Sequence, residues 1–507
     1  MRRRDYISFF DTSRRGGDYS FGRQRRGVSP RLVAILLVVG LIGATVWWFA
    51  GREVPDGSAA SGRILGETTV PAVLLPESAG DTQAAGVPEN LECPEPPEAE
   101  AGILAEWPLF QGGLARTGCT ARPVITDPEI RWTADVGIQA WLNNPVISNG
   151  VVYVGSAGVA QFERDRRDGV YAFDMSSGDR IWLFGTELDV NGVAYWDEVV
   201  VATGDEGRVW GIDAANGDGL WTEDTGSSAF GNPLMIDGMA VVGDANGFVT
   251  ALDAHTGNRL WQVQADGAVR GGASSDGRVI FAAGENGEVV AMTLDGSAIW
   301  RHTVEERGEN GSVRIFGAPT ITDDLVIVTL VRSDLFAEPA VAALDKSDGS
   351  LQWLATDRAG VKPEWGNVRS SPAVAGEVLV FAEPYSAGIV AIGLEDGLTR
   401  WAVDAGAFCY PQWSSPVITS GQVVVPRFDG GIYGIDLVER ELVWSVYLGD
   451  SAANGSFPDG FEEPGFCDWQ PTSGVSVLST PAVSDDGVIV VGTLEGVLYA
   501  IGDESWE

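Results

Sequence analysis

Tryptophans recur at positions 132, 182, 221, 261, 300, 353, 401 and 444, several close an Asp, three residues, Gly, three residues, Trp pattern, and paired turn signals fill the intervals. Together these predict an all-β fold, an eight-bladed propeller of four-stranded antiparallel blades, preceded by a single transmembrane helix. The intervals of 50, 39, 40, 39, 53, 48 and 43 residues each suit one blade.

One unit shows how a blade is built. In "PLMIDGMAVVGDANGFVTAL" the Asp-Gly and Asn-Gly dipeptides separate three alternating apolar runs, which are hairpin signals. The motif that follows, "LDAHTGNRLW", supplies the third turn and the fourth strand. Clear copies are "FDMSSGDRIW", "IDAANGDGLW" and "LDKSDGSLQW", and degenerate copies end at Trp300, Trp401 and Trp444. The Asp is expected to accept hydrogen bonds from turn amides, the Gly to supply positive φ, and the Trp to pack between neighbouring blades. His255 stands where other copies have Ser176, Ala215 or Ser347, so it reads as a turn residue. His302, just past Trp300 on an outer strand, reads as structural too. The first copy, "IRWTADVG", has no strands before it, and the last unit, "TPAVSDDGVIVVGTLEGVLYAIG", has no fourth strand. The N-terminal strand is therefore expected to complete the C-terminal blade and remove the free edge.

Four segments follow. Residues 1–31 hold nine arginines and three aspartates and read as a basic cytoplasmic tail. Residues 32–50, "LVAILLVVGLIGATVWWFA", carry no charge over 19 positions, about 28 Å of helix, which matches the apolar thickness of a bilayer. The arginines before it predict a single-pass anchor with the N-terminus inside and all that follows outside the cytoplasm. Residues 51–105, with "CPEPPEAEA" as the extreme, read as a disordered Pro/Ala/Glu-rich stalk. Residues 106–507 form the propeller.

Composition excludes several functions. Beyond residue 31 the chain carries 24 basic and 68 acidic side chains, so it repels polyanions and nucleic acid is not an expected partner. Two histidines exclude sites built on several of them. Asp205, Glu206, Asp244, Glu285 and Asp429 fall one turn per blade and read as turn chemistry rather than a calcium site. No metal ligand is assigned. The cysteines at 93, 119, 409 and 467 include no CxxC pair. A disulfide is expected between Cys409 and Cys467, in successive inter-blade loops, with Cys93 and Cys119 as the second pairing.

The Asp–Gly–Trp repeat, together with the entry segment "WPLFQGGLARTGCT", resembles the PQQ-like (pyrroloquinoline-quinone-like) repeat propellers, among them quinoprotein alcohol dehydrogenases and the BamB assembly lipoproteins. The resemblance implies the propeller fold over about Trp107 to Ile501. For the enzymes it implies a quinone with calcium, a pair of adjacent cysteines and an aspartate base. No two cysteines here are adjacent and no c-type haem motif is present. No catalytic residue and no cofactor is therefore assigned, with PQQ and calcium as the alternative.

Aligning the first strands on their leading Pro, or its equivalent, exposes one position per blade three residues earlier: Leu142, Val190, Phe230, Arg270, Phe316, Arg369, Trp413 and Leu478. These should encircle the channel mouth. Phe230, Arg270, Phe316, Arg369 and Trp413 combine cations and aromatic faces, and form the candidate surface for an anionic ligand or a partner. The expected function is a membrane-anchored, extracytoplasmic binding or scaffold module with envelope proteins as partners. A PQQ-dependent oxidoreductase and a ligand sensor are the alternatives.

Overall fold

The computed structural model describes residues 91–97, 106–139, 143–305, 313–332, 341–355, 369–382, 388–404, 414–427, 430–449 and 477–503. The expected membrane segment, residues 32–50, lies outside them. Among the described residues there is no α-helix, and none long and apolar enough to cross a membrane.

Among the described residues eight blade sheets are present, with one further two-stranded ladder before blade five. Blade three is typical: Leu234–Ile236, Met239–Gly243, Phe248–Asp253 and Arg259–Gln264 pair in that order, each antiparallel to the last. The ring closes as expected. Pro128–Asp135 pairs antiparallel with Val497–Asp503 and becomes the outer strand of the blade begun by Ala482–Val483 and Ile489–Gly492. Inner strands are buried along their whole length, because a neighbouring blade covers each face; outer strands alternate between exposed and half-buried residues.

A detail beyond the motif explains how the tryptophans reach the interfaces. In every blade the register between third and fourth strands shifts just before the Trp, leaving one extra residue such as Leu260 or Ile299. The residue opposite the Trp is always small: Ala172, Gly211, Ala251, Ala291, Ala343, Ala391, Gly434 or Ala500. A Cβ on Gly211 would collide with the indole of Trp221. The bulge turns the indole across this small residue and onto the next blade.

There it meets the motif's glycine. Gly257, at φ +72°, lies against the ring of Trp221, with 2.6 Å from a hypothetical Cβ to the indole, and Gly178, Gly217, Gly296, Gly349 and Gly397 lie likewise against Trp132, Trp182, Trp261, Trp300 and Trp353. Trp221 Nε1 donates to the carbonyl of Ala254 in the next blade at 2.9 Å. Trp132, Trp182, Trp261, Trp300 and Trp353 make the same donation to Met175, Ala214, Leu294, Lys346 and Leu394. At the seam the pattern changes. Trp401 faces a blade whose turn has Arg440, at φ +61°, in place of Gly, and Trp444 donates within its own blade to Gln422 Oε1. The motif Asp acts as expected: Asp174 Oδ1 accepts from the amides of Ser176 and Ser177, and that bonding, chiefly from the Ser176 hydroxyl, holds its pKa below the usual carboxylate value.

His255 is architectural. Its Nε2 lies 3.3 Å from Asp197 Oδ2, and its ring packs on Trp196 of the preceding blade.

The entry segment has a role that local pattern does not announce. It runs across the far ends of the first strands and hydrogen-bonds every blade. Trp107 exchanges backbone bonds with Ile147 of blade one, and Pro108 accepts from Tyr195 of blade two. Leu114, Ala115, Thr117 and Gly118 accept from Ser275, Ile321, Val374 and Ile418 of blades four to seven. Arg116, fully buried, sends its guanidinium to the carbonyls of Phe110, Pro233 and Ala273, which brings in blade three. Arg122 reaches Val483 of blade eight. Cys119–Thr120 then lies parallel to Val417–Thr419 as a fifth strand of blade seven.

Cys93 is bonded to Cys119. The pairing placed second in the sequence is thus formed, while Cys409 and Cys467 lie outside the described residues. Leu91 packs on the blade-six and blade-seven core, and the Glu92 carbonyl accepts from Gly376 at 2.7 Å. Residues 91–97, within the segment read as stalk, are part of the compact unit that contains the propeller.

Candidate binding face at the channel mouth

Where each first strand begins, small polar residues bind one blade to the next. The Ser274 and Ser371 hydroxyls donate to the carbonyls of Pro319 and Ala318, and Thr203 Oγ1 donates to Gly231 at 2.8 Å. Ser415 donates its amide to Thr480 Oγ1, and Thr480 its amide to Asn144 Oδ1. This collar fixes the backbone just below the residues predicted to ring the mouth.

Four of those residues do come together. The Arg270 guanidinium carbon sits 4.9 Å from the centre of the Phe230 ring and 5.6 Å from that of Phe316. Arg369 approaches Phe316 at 5.0 Å. Phe316 is almost buried between them. Val190 does not join: at 1 % exposure it packs into the core between blades one and two, because the first strand of blade two is extended and turns this side chain inward. Leu478 is largely buried as well. Leu142 and Trp413 lie outside the described residues.

Two further residues complete the cluster. Arg314 stacks on Phe316 at 4.9 Å, and its guanidinium contacts Glu285 Oε1. Arg270 Nε donates to the other oxygen of Glu285 at 2.7 Å. Burial, and then the charge of Arg270, lowers the pKa of Arg314 from the usual guanidinium value. Arg314 escapes the aligned column because it stands two residues before it, in the short ladder Val313–Arg314 with Val331–Arg332 that precedes blade five. Glu285 reads as a turn acid from sequence, yet one methylene separates it from its neighbours. Asp244, at the matching turn, spends its Oδ1 on the amides of Asn246 and Phe248, whereas the longer Glu285 reaches out to the two arginines. Three cations, two aromatic rings and one bridging carboxylate thus meet on one side of the mouth. That arrangement can stack a planar group and bond an anion.

A cleft of about 660 Å³ lies on the opposite face, between residues 93–97, the entry segment and the first hairpins of blades four and five. Two of its three cations are tied into ion pairs, Lys346 with Asp276 at 3.4 Å and Arg122 with Asp485 at 2.8 Å. It reads as the seam of the plug, and the mouth is the better candidate site.

The family described as "Outer membrane protein assembly factor BamB" matches residues 166–329, 245–407 and 337–459, more than half of the chain. The chain belongs to this PQQ-like repeat family. Relatives of two kinds stand beside it. The outer membrane protein assembly factors BamB of Burkholderia pseudomallei and Yersinia pestis are 24% and 25% identical over 52% and 56% of this chain, and 68% and 74% of their own lengths. The quinohemoprotein alcohol dehydrogenase of Comamonas testosteroni is 28% identical over 32% of this chain and only 26% of its own length. Solved structures of Moraxella catarrhalis BamB (TM-score 0.56, 14% identity, 74% of this chain and 99% of that one) and of the Comamonas dehydrogenase (TM-score 0.59, 15% identity, 80% and 82%) share the fold. BamB-like and quinoprotein-like propellers are therefore similarly close, and the site has to discriminate between them.

Proposed function

We propose that this BamB-like propeller is a non-catalytic binding module for envelope protein assembly, anchored by residues 32–50 and held outside the cytoplasm. The observation that carries this reading is the asymmetry of the channel. One end is sealed by the entry segment, and the other gathers Arg270, Arg314 and Arg369 on Phe230 and Phe316. Aromatic rings and arginines are the groups enriched at protein–protein hot spots. The BamB relatives are named for a role in assembly, which supports partners among envelope proteins.

A quinone-dependent oxidoreductase is the second reading, favoured by the similarity to the Comamonas dehydrogenase. The cluster has cations for a polyanionic quinone. It does not supply a calcium seat: among the described residues no three Asp, Glu, His or Cys side chains converge as metal ligands, and Glu285 is already engaged by two arginines. No catalytic step is derived through the quinone.

The test is co-purification of the full-length chain from its native membrane after mild cross-linking, beside a titration with PQQ with and without calcium. The binding reading expects a stable protein adduct and no saturable change in tryptophan fluorescence. Saturable micromolar quinone binding, lost in Arg270→Ala with Arg369→Ala, would replace it with the enzyme reading.

A further inference from the structure

Away from the arginine cluster, blade one joins its second and third strands, Val151–Ala157 and Asp168–Asp174, through a loop that spans two aspartates. Both are used by the loop's own backbone. Asp165 accepts the amides of Val159 and Arg167, each at 2.6 Å, and Asp168 Oδ2 accepts the amide of Asp165. The remaining oxygen, Asp168 Oδ1, is fully buried and has no hydrogen-bond partner. It faces Asp165 Oδ2: both oxygens crowd the single point where a Cβ on Gly158 would sit. Two ionised carboxylates in that position repel each other, and a buried acceptor without a donor is costly. One proton on Asp168 Oδ1 would replace the repulsion with an attraction to Asp165 Oδ2.

We propose that Asp165 and Asp168 share a proton that clamps this loop against blade two, so that losing the proton releases the loop and its apolar tip. The tip carries Val159 and Phe162, 53% and 55% exposed, and the amide of Phe162 is held by Asp189 of blade two at 2.8 Å.

The charged surroundings favour the proton. From blade two, Asp189 and Asp205 face the pair, and both add to its negative field. Arg164 is paired with Glu206, and Arg167 with Asp135 on the ring-closing strand. The loop's other charges, Glu163 and Arg166, are exposed. Burial pushes Asp168 up to about 6, with Asp165 and Asp205 adding to the shift, and burial pushes Asp189 up to about 7. Folded values raised above the ordinary 3.8 mean that protonation stabilises the clamp. Its contribution is complete below the ordinary value of 3.8, falls as pH rises from there, and is gone above about 6 to 7.

Hydrogen exchange of the full-length protein tests this, read between about pH 5 and pH 8 and corrected for intrinsic exchange. The amides of Val159, Phe162 and Arg167 should lose protection by up to roughly tenfold per pH unit as the pH rises from 5 to about 6 to 7 and level off above that, while the hairpin Met239–Asp253 keeps its own. Asp168→Asn, whose amide can donate permanently to Asp165, should hold the loop protected throughout. A flat wild-type profile would overturn the proposal. So would loop protection at pH 8 that calcium restores, which would make the pair a cation seat; the reference hairpin separates either result from general unfolding.

Discussion

The two faces of the ring are built on different rules. On the plugged face most blades repeat their neighbours, with a polar-capped turn, a glycine against the preceding blade's indole, a bulge, and a tryptophan over a small residue; the seam around Trp401 and Trp444 departs from the pattern. On the mouth face the blades diverge, with an arginine pair on Glu285 in one sector and a carboxylate pair in another. Repetition on the first face satisfies six of the eight blade interfaces by the same contacts, so it carries stability. Divergence on the second adds little to packing and gives the ring its chemical identity.

Substitutions can break this contrast from the stable side. Trp182→Ala should cost the most, about 3–5 kcal/mol in chemical denaturation, because it empties the interface with blade two and removes the indole donor to the Ala214 carbonyl. Arg116→Met should cost roughly 2–4 kcal/mol, since one carbonyl of the plug and two of the blades lose the guanidinium donor. Arg440→Gly should act in the opposite direction. Arg440 holds φ +61° in a turn where other copies have Gly, and relieving it should gain about 0.5–1 kcal/mol. If Trp182→Ala were neutral, the interlock would not be the source of stability.

The same contrast explains what could be read from the sequence. The fold was legible because the motif combines local geometry with a long-range contact: Gly257 is fixed both by its turn and by Trp221 of the preceding blade. Ring closure was legible because one unit lacked a strand and a spare strand stood at the other end. The mouth was legible in part. Phe230, Arg270, Phe316 and Arg369 occupy one aligned column, but Val190 turns into the core and Arg314 lies in an insertion that has no counterpart to align. The plug was not legible, since Arg116 bonds carbonyls 117 and 157 residues away through a side chain that no periodic pattern marks. Loop placement favours Cys409 with Cys467, whereas Cys93 and Cys119 are brought together by strand pairing on blade seven and the docking of Leu91.

The central claim is that the mouth face meets partners and the plugged face does not. Its most direct test is a pair of photo-cross-linkers in the full-length protein in its native membrane, one replacing Phe230 at the mouth and the other replacing Arg278, exposed on the plugged face. The expected result is a discrete protein adduct from position 230 that disappears with Arg369→Gln, and none from position 278. An adduct from 278 alone would contradict it and move the site to the cleft beside the plug.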